Sequence, residues 1–232
     1  MTRFATGIIL IFLILIFLMG AIAVAQDSAP KVQVFGGYSL LHINTGGLTG
    51  GIVDLNLDEY PNTFQVRNNY KGWNAEAQYN FNSSFGIVAD FDGRYGTPFT
   101  APSGVSGLPS LSAYSILVGP VLTFKPRARL TPFVHVLVGG ERNSLSASTI
   151  RGLPAPASSA GSTYTDGVLA AGGGLDLRLT RHFSIRLAQV DFFRTYLNLS
   201  TFYGDAFGPG TFEGLARRED NVRVSAGIVV RF

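Results

Sequence analysis

From Asn221 to Phe232 the chain keeps a strict period of two. Val222, Val224, Ala226, Ile228, Val230 and Phe232 fall on one face, and Asn221, Arg223, Ser225, Gly227, Val229 and Arg231 on the other. A helix would scatter these residues around its circumference, whereas a strand sends alternate side chains to opposite faces. Alternation this long commits the segment to β-structure with one apolar face and one face of charged and small residues. The pattern recurs along the chain. Val32, Val34, Tyr38 and Leu40 alternate with Gln33, Phe35, Gly37 and Ser39. Trp73, Ala75, Ala77, Tyr79 and Phe81 are interleaved with Asn74, Glu76 and Gln78; Phe85, Ile87, Ala89, Phe91 and Tyr95 with Val88, Asp90, Asp92 and Arg94. Tyr114 to Phe124, Val134 to Val138 and Leu169 to Leu177 repeat it. In the seventh segment Ile185 and Leu187 share the apolar face, but so do Val190 and Phe192, so the parity slips by one residue. A bulge near Leu187-Ala188 would do this.

Eight strands result, and their links alternate in length. Short links fall near 82–84, 125–129 and 179–182; long ones near 42–70, 96–111, 143–166 and 197–220. Short turns at one end and long loops at the other characterise an antiparallel up-and-down barrel that crosses a membrane with its apolar face outward. The aromatic residues sort by strand end in the same way. Phe81, Phe85, Phe124, Phe183 and Phe232 face lipid at the short-turn end, and Tyr38, Trp73, Tyr95, Tyr114 and Tyr196 at the long-loop end. Strand propensity alone would not separate them, whereas two interfacial girdles would.

The front of the chain agrees with export. Arg3 precedes an apolar run from Ile8 to Leu18, and Ala23-Val24-Ala25 offers a small-x-small site before Gln26, so residues 1–25 read as a signal peptide and 26–232 as one barrel domain. An uncleaved helical anchor is the rival reading, because the run is almost long enough to span a bilayer. With no cysteine the chain has no lipoprotein anchor, no disulfide framework and no thiolate metal site. A net charge of +3 without a basic block gives no footprint for nucleic acid.

These segments resemble the small eight-stranded outer-membrane β-barrels of the OmpA/OmpX and opacity-porin type. The likeness lies in VFGGYSLL (34–41), FGIVADFDGRYG (85–96), TPFVHVLVGG (131–140), AAGGGLDLRLTRHFSIR (170–186), QVDFFRT (189–195) and the closing strand. It implies an all-β, eight-stranded antiparallel transmembrane barrel in a Gram-negative outer membrane, monomeric, in contact with membrane lipid and exported through a cleaved signal peptide. It also implies that the alternate apolar residues Val224, Ala226, Ile228, Val230 and Phe232 form the C-terminal signal read by the barrel-assembly machinery. The peptidoglycan-binding domain that follows the barrel in OmpA itself is not expected here. One scaffold of this kind hosts several jobs, so the fold does not assign the activity.

On the face turned to the lumen lie Glu76, Asp90, Asp92, Asp176 and Asp191, with Arg94, Arg178, Arg186, Arg223 and His135. An eight-stranded barrel is only wide enough to be filled by its own side chains, so these groups are expected to form an ion-pair network that plugs it. Counting outward from the 179–182 turn puts Asp176 opposite Arg186. The same counting puts Glu76 opposite Asp90, where an arginine from elsewhere must reach them or a proton must be shared. A narrow ion path or small-ligand site is the alternative reading.

Catalysis would need a base beside a nucleophile. Of the three histidines, His42 is expected to begin a loop, His182 to sit in a turn and His135 to lie at mid-depth in the lumen. No catalytic, cofactor or metal site is therefore assigned, although a lipid-modifying barrel enzyme stays as an alternative. The Gly172-Gly173-Gly174 run opens no helix and so is not a phosphate loop; close packing or strand curvature suits it better. The long loops, with exposed aromatic residues, are either cover for the barrel mouth or a surface for a ligand. Appending polar residues after Phe232 is expected to impair assembly, measured as loss of heat-modifiable protein in the membrane fraction.

Overall fold

The computed structural model describes residues 30–44, 52–53, 64–66, 69–97, 99–100, 104–124, 128–151, 157–159, 161–196 and 219–232. The expected signal peptide lies outside the described residues, as do most of the first and last long links. Eight long strands close into a barrel. They are β1 (Val32–Asn44), β2 (Asn69–Asn80), β3 (Phe85–Gly96), β4 (Leu111–Thr123), β5 (Leu130–Leu145), β6 (Ser162–Arg178), β7 (Phe183–Thr195) and β8 (Glu219–Arg231). Each pairs antiparallel with its sequence neighbour, and β8 returns to β1 in a register running from Gln33↔Arg231 to Asn44↔Asp220. That last pairing leaves the sheet without an open edge.

The alternation translates into burial with the sense reversed from a water-soluble protein. In β4, Ile116 is 62% exposed and its neighbour Leu117 is fully buried. The apolar face looks outward because lipid is its solvent, and polar side chains turn inward where they find one another. At the foreseen bulge the register passes from Asp176↔Arg186 to Leu175↔Ala188 on one side, and from Arg186↔Gly227 to Gln189↔Ser225 on the other. Leu187 and Ala188 therefore both point outward, and the parity of β7 inverts between Arg186 and Gln189.

The long-loop end departs from the sequence reading. β5 and β6 continue as a paired ribbon to Leu145 and from Ser162, where a loop over 143–166 was expected. β1 runs on to Asn44, so His42 is a strand residue whose ring bonds Asn69 Oδ1 at 2.8 Å. These extensions carry no apolar outer face, so although inner and outer residues still alternate in burial, the sequence loses its apolar–polar contrast there. Short strands also occur within the links: Ile52–Val53, Phe64–Val66 and Phe99–Thr100 form one small sheet, and Ser148–Ile150 pairs with Ala157–Ser159.

Both aromatic belts are present. Phe81, Phe124, Phe183 and Phe232 are exposed at the short-turn end, with Phe85 stacked on Phe81 at 6.1 Å between centroids. At the other end Trp73, Tyr95 and Tyr114 form a cluster: Trp73 Nε1 donates to Tyr95 Oη at 3.3 Å, and the two tyrosine rings meet edge-on at 5.8 Å. The indole lies across Gly93, its cross-strand partner, where a Cβ would stand 2.6 Å from Trp73 Nε1. Gly93→Ala is thus expected to displace the indole and break its bond to Tyr95. Because Trp73 is the only tryptophan, the emission spectrum reads this directly; an unchanged spectrum would contradict the packing.

Candidate functional site

The inward side chains form one connected polar column flanked by an apolar wall. At the short-turn end Arg231 reaches Asp176 Oδ2 at 3.3 Å and Gln33 Oε1 at 3.2 Å. Asp176 Oδ1 accepts from Arg186 Nε at 2.9 Å, the neighbour pair counted from the turn. Arg186 then crosses the lumen to Glu76 Oε2 at 2.6 Å, and its guanidinium is held between the rings of Phe35 (4.3 Å) and Phe133 (4.2 Å). Stacking on two faces leaves the guanidinium edge free to donate in its own plane. Gln189 carries the column onward, donating to Glu76 Oε1 at 2.7 Å and to Asp191 Oδ2 at 2.9 Å.

Arg223 is the centre. Its guanidinium donates to Asp191 Oδ2 (2.7 Å), to both oxygens of Asp90 (2.6 and 2.9 Å) and to Asp92 Oδ2 (2.8 Å), and all four side chains are fully buried. Asp90 and Asp92 stand on β3 and Asp191 on β7, four strands apart on an eight-strand circle, so the network spans the lumen from wall to wall. Phe193 covers the Arg223 guanidinium at 4.6 Å. Asp92 also accepts from Ser115 Oγ and from Arg94 Nε at 2.7 Å, and Arg94 ends the column on Glu141 Oε2 at 2.6 Å. Glu76 and Asp90 do face each other across β2 and β3, and each is given its own arginine, Arg186 and Arg223.

His135 Nε2 and Asp191 Oδ1 are 2.7 Å apart, although β6 runs between their strands. Gly172 is the register partner of both, and a Cβ there would lie 2.1 Å from that same Asp191 oxygen. The first glycine of the run is thus the gap through which β5 and β7 join hands. The apolar wall comes mainly from β4, β5 and β6, with Leu117, Val121, Leu137, Val168 and Ala170 packed together with Val88 and Phe193. Toward the long-loop mouth Leu41, Tyr70, Leu111 and Leu145 form a second apolar layer against which Tyr164 packs.

Glu76, Asp90, Asp92, Arg94, His135, Asp176, Arg186, Asp191 and Arg223, all singled out from sequence, lie in one bonded column, and Arg178 is half-buried at the short-turn rim. Sequence reading left out Glu141, Gln189 and Arg231 as members. Gln189 and Arg231 were on the inward face but were not ranked with the charges. Glu141 lies beyond Gly139, where continued alternation of Glu141, Asn143 and Leu145 was the available signal. In this column the carboxylates of Glu76, Asp90, Asp92, Glu141, Asp176 and Asp191 meet the guanidiniums of Arg94, Arg186, Arg223 and Arg231 and the ring of His135. Among the described residues no group of three or more His, Asp and Glu side chains is arranged to hold a metal ion.

No protein-family model and no curated protein sequence matches the chain. Solved structures do match. Neisserial surface protein A superposes with a TM-score of 0.52 at 15% identity, over 89% of this chain and 100% of that one. Ail, the attachment invasion locus protein of Yersinia pestis, gives 0.50 at 15% identity, over 88% and 100%. The fold is that of the small eight-stranded outer-membrane β-barrels. At such identities the likeness is one of architecture, and the lumen chemistry stands on this chain's own residues.

Breaking a buried ion pair on one side leaves the other charge stranded, at about 3–5 kcal/mol. Arg223→Met strands three carboxylates at once and is expected to lower stability by at least about that amount, read from urea unfolding in lipid vesicles. Asp191→Asn leaves Arg223 with two carboxylate partners and should cost clearly less. Equal losses from the two would show that Arg223 is not the centre of the network.

Proposed function

We propose that the chain is an outer-membrane barrel whose body is a closed scaffold and whose working surface is the long-loop end. The observation that carries this reading is the Arg223 node, which ties opposite walls together at the middle of the lumen. A solute passing through would have to displace a guanidinium from three carboxylates, in a barrel already narrow enough for side chains to fill. The lipid-facing outer wall supports residence in a membrane. The signal-peptide pattern of residues 1–25 and the alternate apolar positions Val224, Ala226, Ile228, Val230 and Phe232 support export and recognition by the barrel-assembly machinery. Ligand contact falls to the long links, since loops on a rigid frame are where binding concentrates.

Catalysis is not part of the proposal. His135 is 3% exposed and engaged with Asp191, out of reach of a lipid substrate, and the ring of His42 is engaged with Asn69. A narrow water or ion path is the second reading. It draws on Ser39 and Ser225, opposite each other on the β8–β1 seam, whose buried hydroxyls have no hydrogen-bond partner among the described residues.

Purified protein in planar bilayers is expected to give no stable conductance at neutral pH. Arg223→Ala, if it still inserts, should give openings that the parent lacks. Steady single-channel currents from the parent protein would replace the scaffold reading with the narrow path.

A further inference from the structure

We propose that the short-turn rim of the barrel is a binding surface for the phosphate headgroups of anionic phospholipids. The proposal rests on the membrane-barrel reading and adds a lipid class to it. Lys31, Arg129 and Arg181 are exposed at this end, and none has an ion-pair partner among the described residues. Asp176 is the acidic side chain nearest this end among the described residues, and it is buried and held by Arg186 and Arg231. At the other end Lys71 and Arg142 are exposed as well, but there Asp220 neutralises Arg194 at 2.7 Å, both partly exposed.

The three basic residues stand on adjoining turns. Arg129 O accepts from Arg178 N at 2.8 Å, which joins the β4–β5 turn to the end of β6. Arg181 lies in the β6–β7 turn, where His182 O accepts from Arg231 N at 2.8 Å. Phe232 N bonds Val32 O at 2.9 Å, which brings Lys31 next in line. The basic arc therefore runs along the rim from β5 to β1, while the β2–β3 turn, Asn82-Ser83-Ser84, is uncharged. Lys125 and Arg127 of the β4–β5 turn lie outside the described residues.

What selects a lipid over a free anion is the wall beside the arc. Phe124, Leu179, Phe183 and Phe232 are exposed at the same end, where the apolar surface stops. A phospholipid lying against this edge places its phosphate among the basic groups and its acyl chains on the aromatic belt. Long basic side chains at an apolar boundary reach to headgroup level in this way. A soluble phosphate would gain the charge contact alone.

The test is native mass spectrometry of the full barrel released from mixed micelles holding equal amounts of phosphatidylglycerol and phosphatidylcholine. Phosphatidylglycerol is expected to be retained preferentially, and the preference should fall as salt rises. The combined variant Lys31→Gln, Arg129→Gln, Arg181→Gln should lose it by roughly five-fold per charge removed, from the ~1 kcal/mol that one basic group near an anionic surface is worth. Lys71→Gln with Arg142→Gln, at the long-loop end, should leave it unchanged. Equal retention of the two lipids by the parent protein, a preference that survives the triple variant, or displacement by glycerol phosphate as effective as by the lipid would each overturn the proposal. Heat-modifiable migration keeps the two readings apart. Its absence overturns the barrel and this inference together, whereas an intact barrel with no lipid preference overturns this inference alone.

Discussion

The structure turns on the contact of Arg223 with Asp90, Asp92 and Asp191. Once eight strands close with lipid outside, the inward polar groups have only one another to bond, and any charge left alone there is costly. Arg223 meets this demand for three carboxylates from opposite walls. The residues around it are arranged to keep it planar and dry: Phe193 covers the guanidinium, and the Leu117–Leu137 wall excludes competing donors. Arg186 repeats the device one layer lower between Phe35 and Phe133. The lumen is thus neither a plain ion-pair lattice nor a hydrophobic core, but arginines stacked on rings and bonded edgewise to acids.

The strands themselves were readable because their two solvents differ. An outer face that must be apolar and an inner face that tolerates charge write a period of two into Val222–Phe232 and seven other segments. Counting from a tight turn then fixes neighbours, which is why Asp176 and Arg186 could be paired and the slip at Leu187-Ala188 located. Contacts across the lumen were not readable. That Arg223 on β8 meets β3, or that Arg186 on β7 meets Glu76 on β2, depends on barrel width and on relative depth around the circle, and no ladder of hydrogen bonds encodes these. Glu141 was missed for a different reason. Its outward neighbours Gly140 and Arg142 stand where the wall has left the apolar layer, so the alternation loses its contrast.

Glycine shows the same division between local and distant causes. Gly172 and Gly93 both sit inside strands, where the residue ordinarily weakens the sheet. Their justification comes from strands on either side: one opens a gap for His135 and Asp191, the other makes a bed for Trp73. Neither purpose can be inferred from the run in which the glycine stands.

The bulge in β7 has a consequence for how this strand tolerates change in length. Ser184 and Arg186 belong to the lumen in one phase, Gln189 and Asp191 in the opposite phase, and Leu187-Ala188 is the joint between them. β7 is in effect two half-strands in antiphase. Gaining or losing one residue within either half throws the part cut off from its turn onto the wrong solvent, and with it a charge on which Glu76 or Arg223 relies. At the joint the loss of one residue removes the irregularity and leaves Arg186, Gln189 and Asp191 all inward, in plain alternation across a single outward residue. The strand's length is therefore tightly constrained within each half, and the one place that can absorb a lost residue is the joint, whose own side chains, Leu187 and Ala188, take no part in the network.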